Sequence, residues 1–129
     1  MMKSFVAFLL FFLTITTAAE NSKIDVLQNE EYAAFAEQMP EPIGGLEGMY
    51  KLIKYPEAAV KAGVQGKVYL LAFINENGGV DDVKIIKGLG AGCDEAAIDA
   101  VKQTKFKPGS SGGKSIKVKL SLQFQFKLS

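Results

Sequence analysis

The chain has 129 residues, enough for one domain with a single modest core. Its 15 basic residues are all lysines, its 14 acidic residues nearly balance them, and it contains no histidine and one cysteine. These counts exclude imidazole catalysis, an internal disulfide, a four-cysteine zinc site and arginine-based recognition of phosphate. The composition therefore favours a binding or structural protein over an enzyme, and we expect neither a metal nor a cofactor.

Residues 1–19 have the pattern of a secretory signal peptide. Lys3 precedes an apolar run over residues 5–13, and the small residues Thr17, Ala18 and Ala19 follow it. The run is shorter than the about 20 apolar residues that a membrane-spanning helix requires. We expect cleavage after Ala19 and export from the cytoplasm, with membrane attachment only if the segment is not cleaved.

The next segment differs in charge from the rest of the chain. Residues 20–46 contain one lysine and six acidic residues, whereas residues 47–129 contain thirteen lysines and eight acidic residues. A loose helical spacing of apolar side chains is interrupted by Pro40 and Pro42. We therefore predict a partly helical leader or linker over residues 20–45 and a domain over residues 46–129.

The domain is predicted to begin with two short helices. Apolar side chains from Leu46 to Ile53 recur at helical spacing, so one face of this segment is apolar. Pro56 is suited to the start of a second helix over residues 57–62, which Gly63 ends.

A β-hairpin and a third helix are predicted next. Residues 67–74 are apolar on both faces, as in a covered strand, and an Asn-Glu-Asn-Gly-Gly turn leads to a second strand over residues 80–87. Residues 94–104 have helical periodicity with acidic residues at the N-terminal end. The glycine-rich residues 109–113 are expected to form a flexible turn.

The last segment, residues 115–128, alternates strictly between apolar and polar side chains. This period of two predicts a single long strand with one buried face and one solvated face. At ~3.4 Å per residue the strand would extend roughly 45 Å, more than the hairpin strands can pair. We therefore expect unpaired backbone groups along an edge of this strand, ready to accept another strand.

The order of these elements, α-β-β-α-β, predicts an α+β fold. We expect a two-layer sandwich in which a three-stranded antiparallel sheet packs on two helices.

Several short motifs, in this order, resemble the TonB C-terminal domain family. The segment from Met39-Pro40 to Gly44-Gly45-Leu46 resembles the entry segment of the Bacteroidetes-type members of this family. The motifs are Tyr55-Pro56, Ala58-Ala59, Gly66-Lys67-Val68, the run from Asn77 to Val83, Asp94-Glu95-Ala96-Ala97 and Phe106-Lys107-Pro108. The resemblance covers about residues 39–128.

This resemblance implies a non-enzymatic periplasmic module that serves TonB-dependent transport. It would dock the extended TonB box of an outer-membrane receptor by β-strand addition. The residues to which the resemblance assigns peptide binding are Lys54, Tyr55, Pro56, Lys117, Val118, Lys119, Leu120, Ser121, Leu122, Gln123 and Phe124. Full TonB also has a membrane helix that meets ExbB and ExbD and a proline-rich spacer; we expect neither here, so peptide docking is expected and force transmission is not.

The same edge strand leaves one alternative open. It could pair with a second copy of itself, which would make the protein a self-associating envelope scaffold without a peptide ligand.

Other chemistries are less compatible with the sequence. The glycines of residues 88–92 do not match a dinucleotide fingerprint, whose third glycine would fall at Cys93. Cys93 itself is expected to be a small buried apolar residue. The Asp81-Asp82 pair has no third acidic residue clearly positioned with it, so we do not expect a hydrolytic site. The C-terminal third is rich in lysine, but its strand phenylalanines fall on the core face, which disfavours nucleic-acid binding.

Overall fold

The computed structural model describes residues 31–129, and the predicted signal peptide and the first part of the predicted leader lie outside these residues. The strands in this part are β1 (Glu41–Pro42), β2 (Gly66–Ile74), β3 (Val80–Lys87), β4 (Phe106–Lys107), β5 (Gly109–Ser111), β6 (Lys114–Ile116) and β7 (Val118–Phe126). The helices that lie wholly within it are α1 (Gly45–Tyr50), α2 (Glu57–Ala62) and α3 (Cys93–Gln103). No helix of the described residues is long and apolar enough to cross a membrane.

The main sheet has three antiparallel strands in the order β3-β2-β7. The central strand β2 is the one whose sequence is apolar on both faces. Its core face, from Val68 to Ile74, is buried, whereas on its outer face Phe73 is buried against Tyr32 and Tyr69 is exposed. β2 pairs with β7 along its whole length, from Gly66 opposite Phe126 to Ile74 opposite Val118, without a register shift. The predicted α+β class and three-stranded antiparallel sheet are confirmed.

The hydrophobic core lies between this sheet and the helices. The sheet contributes alternate residues of β2 and β7, and each helix contributes at least one buried side chain. The fully or nearly fully buried members include Val68, Leu70, Ala72, Ile74, Phe124 and Phe126 of the sheet with Met49, Ala59, Ala97 and Val101 of the helices. The alternation predicted along the last strand is confirmed, because Phe124 and Phe126 are buried while Gln123 and Gln125 are exposed.

The prediction of one continuous strand over residues 115–128 was wrong. The chain changes partner at Lys117: Ile116 of β6 pairs with Gly109 of β5, whereas Val118 of β7 pairs with Ile74 of β2. The predicted flexible turn at residues 109–113 is therefore mostly the hairpin of β5 and β6. Side-chain alternation reports which face is buried, and it continues unchanged when the backbone exchanges one partner strand for another.

The expected source of unpaired backbone groups also differs. β7 has nine residues and β2 has nine, so β7 does not extend beyond its partner. Its unpaired groups lie instead along its outer side, because β7 is the edge of the sheet.

A segment that we name the strap, residues 32–38, attaches to the domain at both of its ends. The Ala33 N–H donates to the Lys117 carbonyl at 2.9 Å, and the Lys119 N–H donates to the Ala33 carbonyl at 3.0 Å. Gln38 and Ser110 exchange two backbone hydrogen bonds of 2.9 Å. The compact unit runs from Tyr32 to Ser129, so the part of the predicted leader from Tyr32 onward packs with the domain.

Candidate functional site: the outer edge of β7

The outer edge of β7 directs backbone N–H and C=O groups away from the sheet. The Lys119 N–H bonds to the strap, so it points away from β2. Because backbone groups alternate in direction and the β2–β7 register has no shift, the N–H and C=O groups of Ser121, Gln123 and Gln125 also point outward. Within residues 31–129, no strand pairs with this side of β7 beyond Lys119. We name residues 121–125 the open edge.

A groove of about 430 Å³ lies beside the open edge. One wall consists of Tyr50, Ile53 and Tyr55, from α1 and the loop before α2, and the other includes Gln123 and Gln125. The groove is therefore bordered by apolar and aromatic side chains on one side and by the open edge on the other, an arrangement suited to an extended peptide.

Aromatic packing holds the two tyrosines of this wall in place. The Tyr50 ring meets Phe124 edge-on with 5.4 Å between ring centroids, and Tyr55 meets Phe126 in the same way at 5.4 Å. The Tyr55 hydroxyl donates to the Val64 carbonyl. Burial raises the pKa of Tyr55, and nearby Cys93 adds to this, so the hydroxyl remains a neutral donor at physiological pH.

Tyr50 also reaches the open edge itself. Its hydroxyl donates to the Gln123 carbonyl at 3.3 Å, a long hydrogen bond. A strand that adds to this edge would compete with Tyr50 for that carbonyl oxygen.

The residues predicted to bind peptide fall into three groups in the structure. Tyr55 and Gln123 line the groove, and Ser121 lies on the open edge. Lys117 and Lys119 are bonded to the strap through their backbones. The remaining predicted residues do not line the groove: these are Lys54 and Pro56 before α2, the buried Val118 and Phe124, and the half-buried Leu120 and Leu122 that pack against the core.

Six residues of the groove were not predicted from the sequence. They are Tyr50, Ile53, Lys67, Gln125, Phe126 and Lys127. Gln125 could have been found, because it continues the period of two from Ser121 and Gln123. No signal in the sequence places Lys67 there, since its position depends on the pairing of Lys67 with Gln125 across β2 and β7.

The structure gives the alternative sites a structural role. Cys93 is completely buried, and burial raises the pKa of its thiol, with Asp94 and Glu95 adding to the shift. The Asp94 carboxylate accepts the Leu89 N–H at 2.8 Å, so an acid occupies the loop in which a phosphate would have to bind. No group of acidic, cysteine or histidine side chains among residues 31–129 is arranged to hold a metal ion.

Asp81 is likewise engaged in packing. Its carboxylate accepts hydrogen bonds from the Tyr32 hydroxyl and, at 2.8 Å, from the Asn75 amide. These two bonds, with a smaller contribution from Lys117, hold the pKa of Asp81 below its usual value. Asp81 is therefore an ionised anchor for Tyr32 of the strap.

Comparison with known proteins gives a consistent result. Residues 51–128 match the family model described as "Gram-negative bacterial TonB protein C-terminal". The chain is 36% identical over 76 residues to "Protein TonB" of Xanthomonas campestris pv. campestris, covering 58% of this chain and 34% of that protein. It is 29% identical over 75 residues to "Protein TonB" of Pseudomonas aeruginosa, covering 57% of this chain and 22% of that protein.

The fold agrees with a solved structure. The solution NMR structure of the Pseudomonas aeruginosa TonB C-terminal domain superposes with a TM-score of 0.53 at 22% identity, covering 75% of this chain and 94% of that one. The chain spans about a third or less of the length of the curated relatives that it matches. The matched family is a non-enzymatic domain of protein interaction and energy transduction. This chain therefore belongs to the family of Gram-negative bacterial TonB protein C-terminal domains.

Proposed function

We propose that this domain binds a short, extended segment of an outer-membrane receptor, a TonB box, by strand addition to the open edge of β7. In this role it serves TonB-dependent transport in the periplasm. The observation that supports this proposal is the row of outward backbone groups at Ser121, Gln123 and Gln125 beside a groove with an aromatic wall.

The open edge has enough hydrogen-bonding capacity for a specific complex. Three residues with outward N–H and C=O groups can form up to about six hydrogen bonds with a guest strand. At about 1 kcal/mol net for each bond, these bonds contribute several kcal/mol without regard to the guest sequence. The guest side chains that enter the groove against Tyr50 and Tyr55 then add apolar burial and selectivity.

Binding of a guest requires a small rearrangement at Tyr50. A guest residue opposite Gln123 needs the carbonyl that the Tyr50 hydroxyl contacts at 3.3 Å. Because this bond is long, displacing the hydroxyl costs little, and the tyrosine ring remains available to cover the guest.

Backbone methylation of the guest tests the mechanism. The probe is a peptide from the periplasmic N-terminal segment of a TonB-dependent receptor encoded in the same genome, with one N-methyl group placed at each position in turn. Methyl groups on every second residue should weaken binding by about two- to twelve-fold, because they remove an N–H that faces β7. Methyl groups on the intervening residues should have little effect and are the matched control. Equal effects at all positions would contradict strand addition.

A complementary variant acts on the protein. Ser121→Pro removes an outward N–H without removing a bond to β2, so it should weaken binding while circular dichroism shows a retained fold. A folded Ser121→Pro variant that binds normally would also contradict the proposal.

Self-association through the same edge is a second candidate. Two copies can pair antiparallel about Gln123, with Ser121 of one opposite Gln125 of the other, because the outward groups recur at every second residue. Light scattering with and without receptor peptide separates the two functions. A monomer that binds peptide supports docking, whereas a dimer that peptide does not dissociate supports the scaffold.

A further inference from the structure

A second groove lies at the other end of the open edge. It has a volume of about 430 Å³ and a mostly apolar lining. Ala34, Phe35 and Met39 border it on one side, and Leu71, Lys119, Leu120 and Ser121 border it on the other. Ser121 belongs both to this groove and to the open edge, so a strand added to β7 would run directly into it. We name this groove the strap groove.

Phe35 in the strap groove is unusually exposed for a large apolar residue. It is 86% exposed, yet it lies between two anchored positions, Ala33 on β7 and Gln38 on β5. The Glu37 N–H also donates to the Ser111 hydroxyl at 3.1 Å. Because the backbone on both sides of Phe35 is held in place, contact with a guest would cost less ordering entropy there than in an unattached segment.

The strap groove opens on the outer face of the sheet, away from the helices. Leu71 and Ser121 are paired residues of β2 and β7, and each alternates with the core residues of its own strand, so both lie on the face opposite the core. Side chains of directly paired residues lie on the same face of a sheet. The guest residue opposite Ser121 therefore directs its side chain toward Leu71 and Phe35.

The other end of the open edge has a different chemistry. Gln125 is paired with Lys67, and Lys67 and Lys127 both line the first groove. No acidic side chain borders that groove. The guest residue opposite Gln125 directs its side chain to the same outer face, in one row with Gln125 and Lys67, where an acidic side chain would be favoured.

We propose that the open edge selects segments with a large apolar side chain opposite Ser121 and an acidic side chain opposite Gln125. The two positions are four residues apart in the guest, or ~14 Å along an extended strand. This inference rests on the proposed function and specifies the class of peptide that the site accepts.

A set of synthetic peptides tests the spacing. Each peptide has nine residues on a Thr/Gln background and carries one Leu and one Glu, placed four residues apart in either order, because the direction of the guest strand decides which comes first. One of the two orders should bind best. A spacing of three residues places the side chains on opposite faces of the strand and should weaken binding by about five- to ten-fold.

Protein variants assign the two ends. Phe35→Ala should weaken binding of the Leu/Glu peptide by on the order of five-fold. It should have almost no effect on binding of a peptide in which Ala replaces Leu. Lys67→Gln should reduce the preference for Glu over Gln by up to about five-fold, and salt should reduce the same preference. Ile86→Ala and Lys87→Gln are matched controls, because both are exposed residues of β3 at the opposite edge of the sheet.

The outcomes separate this inference from the proposed function. One outcome is that N-methyl groups weaken binding at every second guest residue while the spacing between Leu and Glu has no effect. This result would overturn the inference and would still support strand addition. Equal losses for all peptides in Phe35→Ala would overturn the apolar contact. Failure of every peptide, including the receptor segment, to bind would overturn both.

Discussion

Removal of one hydroxyl group at Tyr32 should loosen the strap. The Tyr32 ring is 8% exposed and packs edge-on against Phe73 with 5.0 Å between ring centroids. Its hydroxyl donates to the Asp81 carboxylate. Tyr32→Phe keeps the ring and removes the hydrogen bond to Asp81. The variant therefore tests the anchor that holds the N-terminal end of the strap.

The expected loss of stability is about 1 kcal/mol at neutral pH. Hydrogen bonds to charged groups contribute about 1.5–3 kcal/mol, and the exposed position of Asp81 lowers this figure through solvent screening. For a domain of about this size, a loss of 1 kcal/mol lowers Tm by about 4–8 °C. Tyr69→Phe is the matched control, because Tyr69 lies on the outer face of β2 and is 37% exposed.

The effect of Tyr32→Phe should depend on pH. The pKa of Asp81 in the folded protein is lowered, first by Tyr32 and then by Asn75. A lowered pKa contributes stability that is fully present above the unfolded-state pKa of about 3.9 and is lost as pH falls through the folded-state value. The difference between the parent and Tyr32→Phe should therefore be constant above about pH 5 and should shrink toward more acidic pH.

Urea unfolding at a series of pH values measures this difference. A stability difference that stays the same from neutral to strongly acidic pH would show that Asp81 is not the acceptor that matters. No loss at neutral pH would refute the anchor itself. Hydrogen exchange at the Lys119 amide, which bonds to Ala33 of the strap, should become faster in Tyr32→Phe and gives an independent local readout.

Three further predictions concern the rest of the chain. Gly78→Ala should lower the free energy of unfolding, measured by heat or urea, by at least about 2 kcal/mol, because φ is +85° and a Cβ would lie 1.9 Å from the Phe106 carbonyl oxygen. Gly112→Ala is the control: its φ is +60° but the space around it is open, so the loss should be about 1 kcal/mol. The Cys93 thiol should react with a thiol reagent only as fast as the domain opens, since it is buried with a raised pKa; rapid reaction in the folded state would contradict this assignment. Mass spectrometry of the exported protein should find Glu20 as the first residue, and an intact Met1 would refute the predicted cleavage.

Local patterns in the sequence determined most of the elements. The second helix was predicted over the residues that it occupies, and the hairpin strands and third helix were predicted to within one residue at each end. Helix and strand periodicities are properties of neighbouring residues, so they can be read without knowledge of the partner. The ordered motifs likewise pointed to the family that the comparison established.

The tertiary structure alone decided which strands meet and where the edge is open. The apolar and polar side chains of residues 115–128 alternate without a break through Lys117, although the partner strand changes there from β5 to β2. Nothing near Ala33 in sequence predicts its pairing with β7, and Lys67 joins the groove only through its position opposite Gln125. The physical reason is that side-chain periodicity records which face is buried, whereas backbone hydrogen bonds join segments that are distant in the chain and are chosen by the packing of the whole domain.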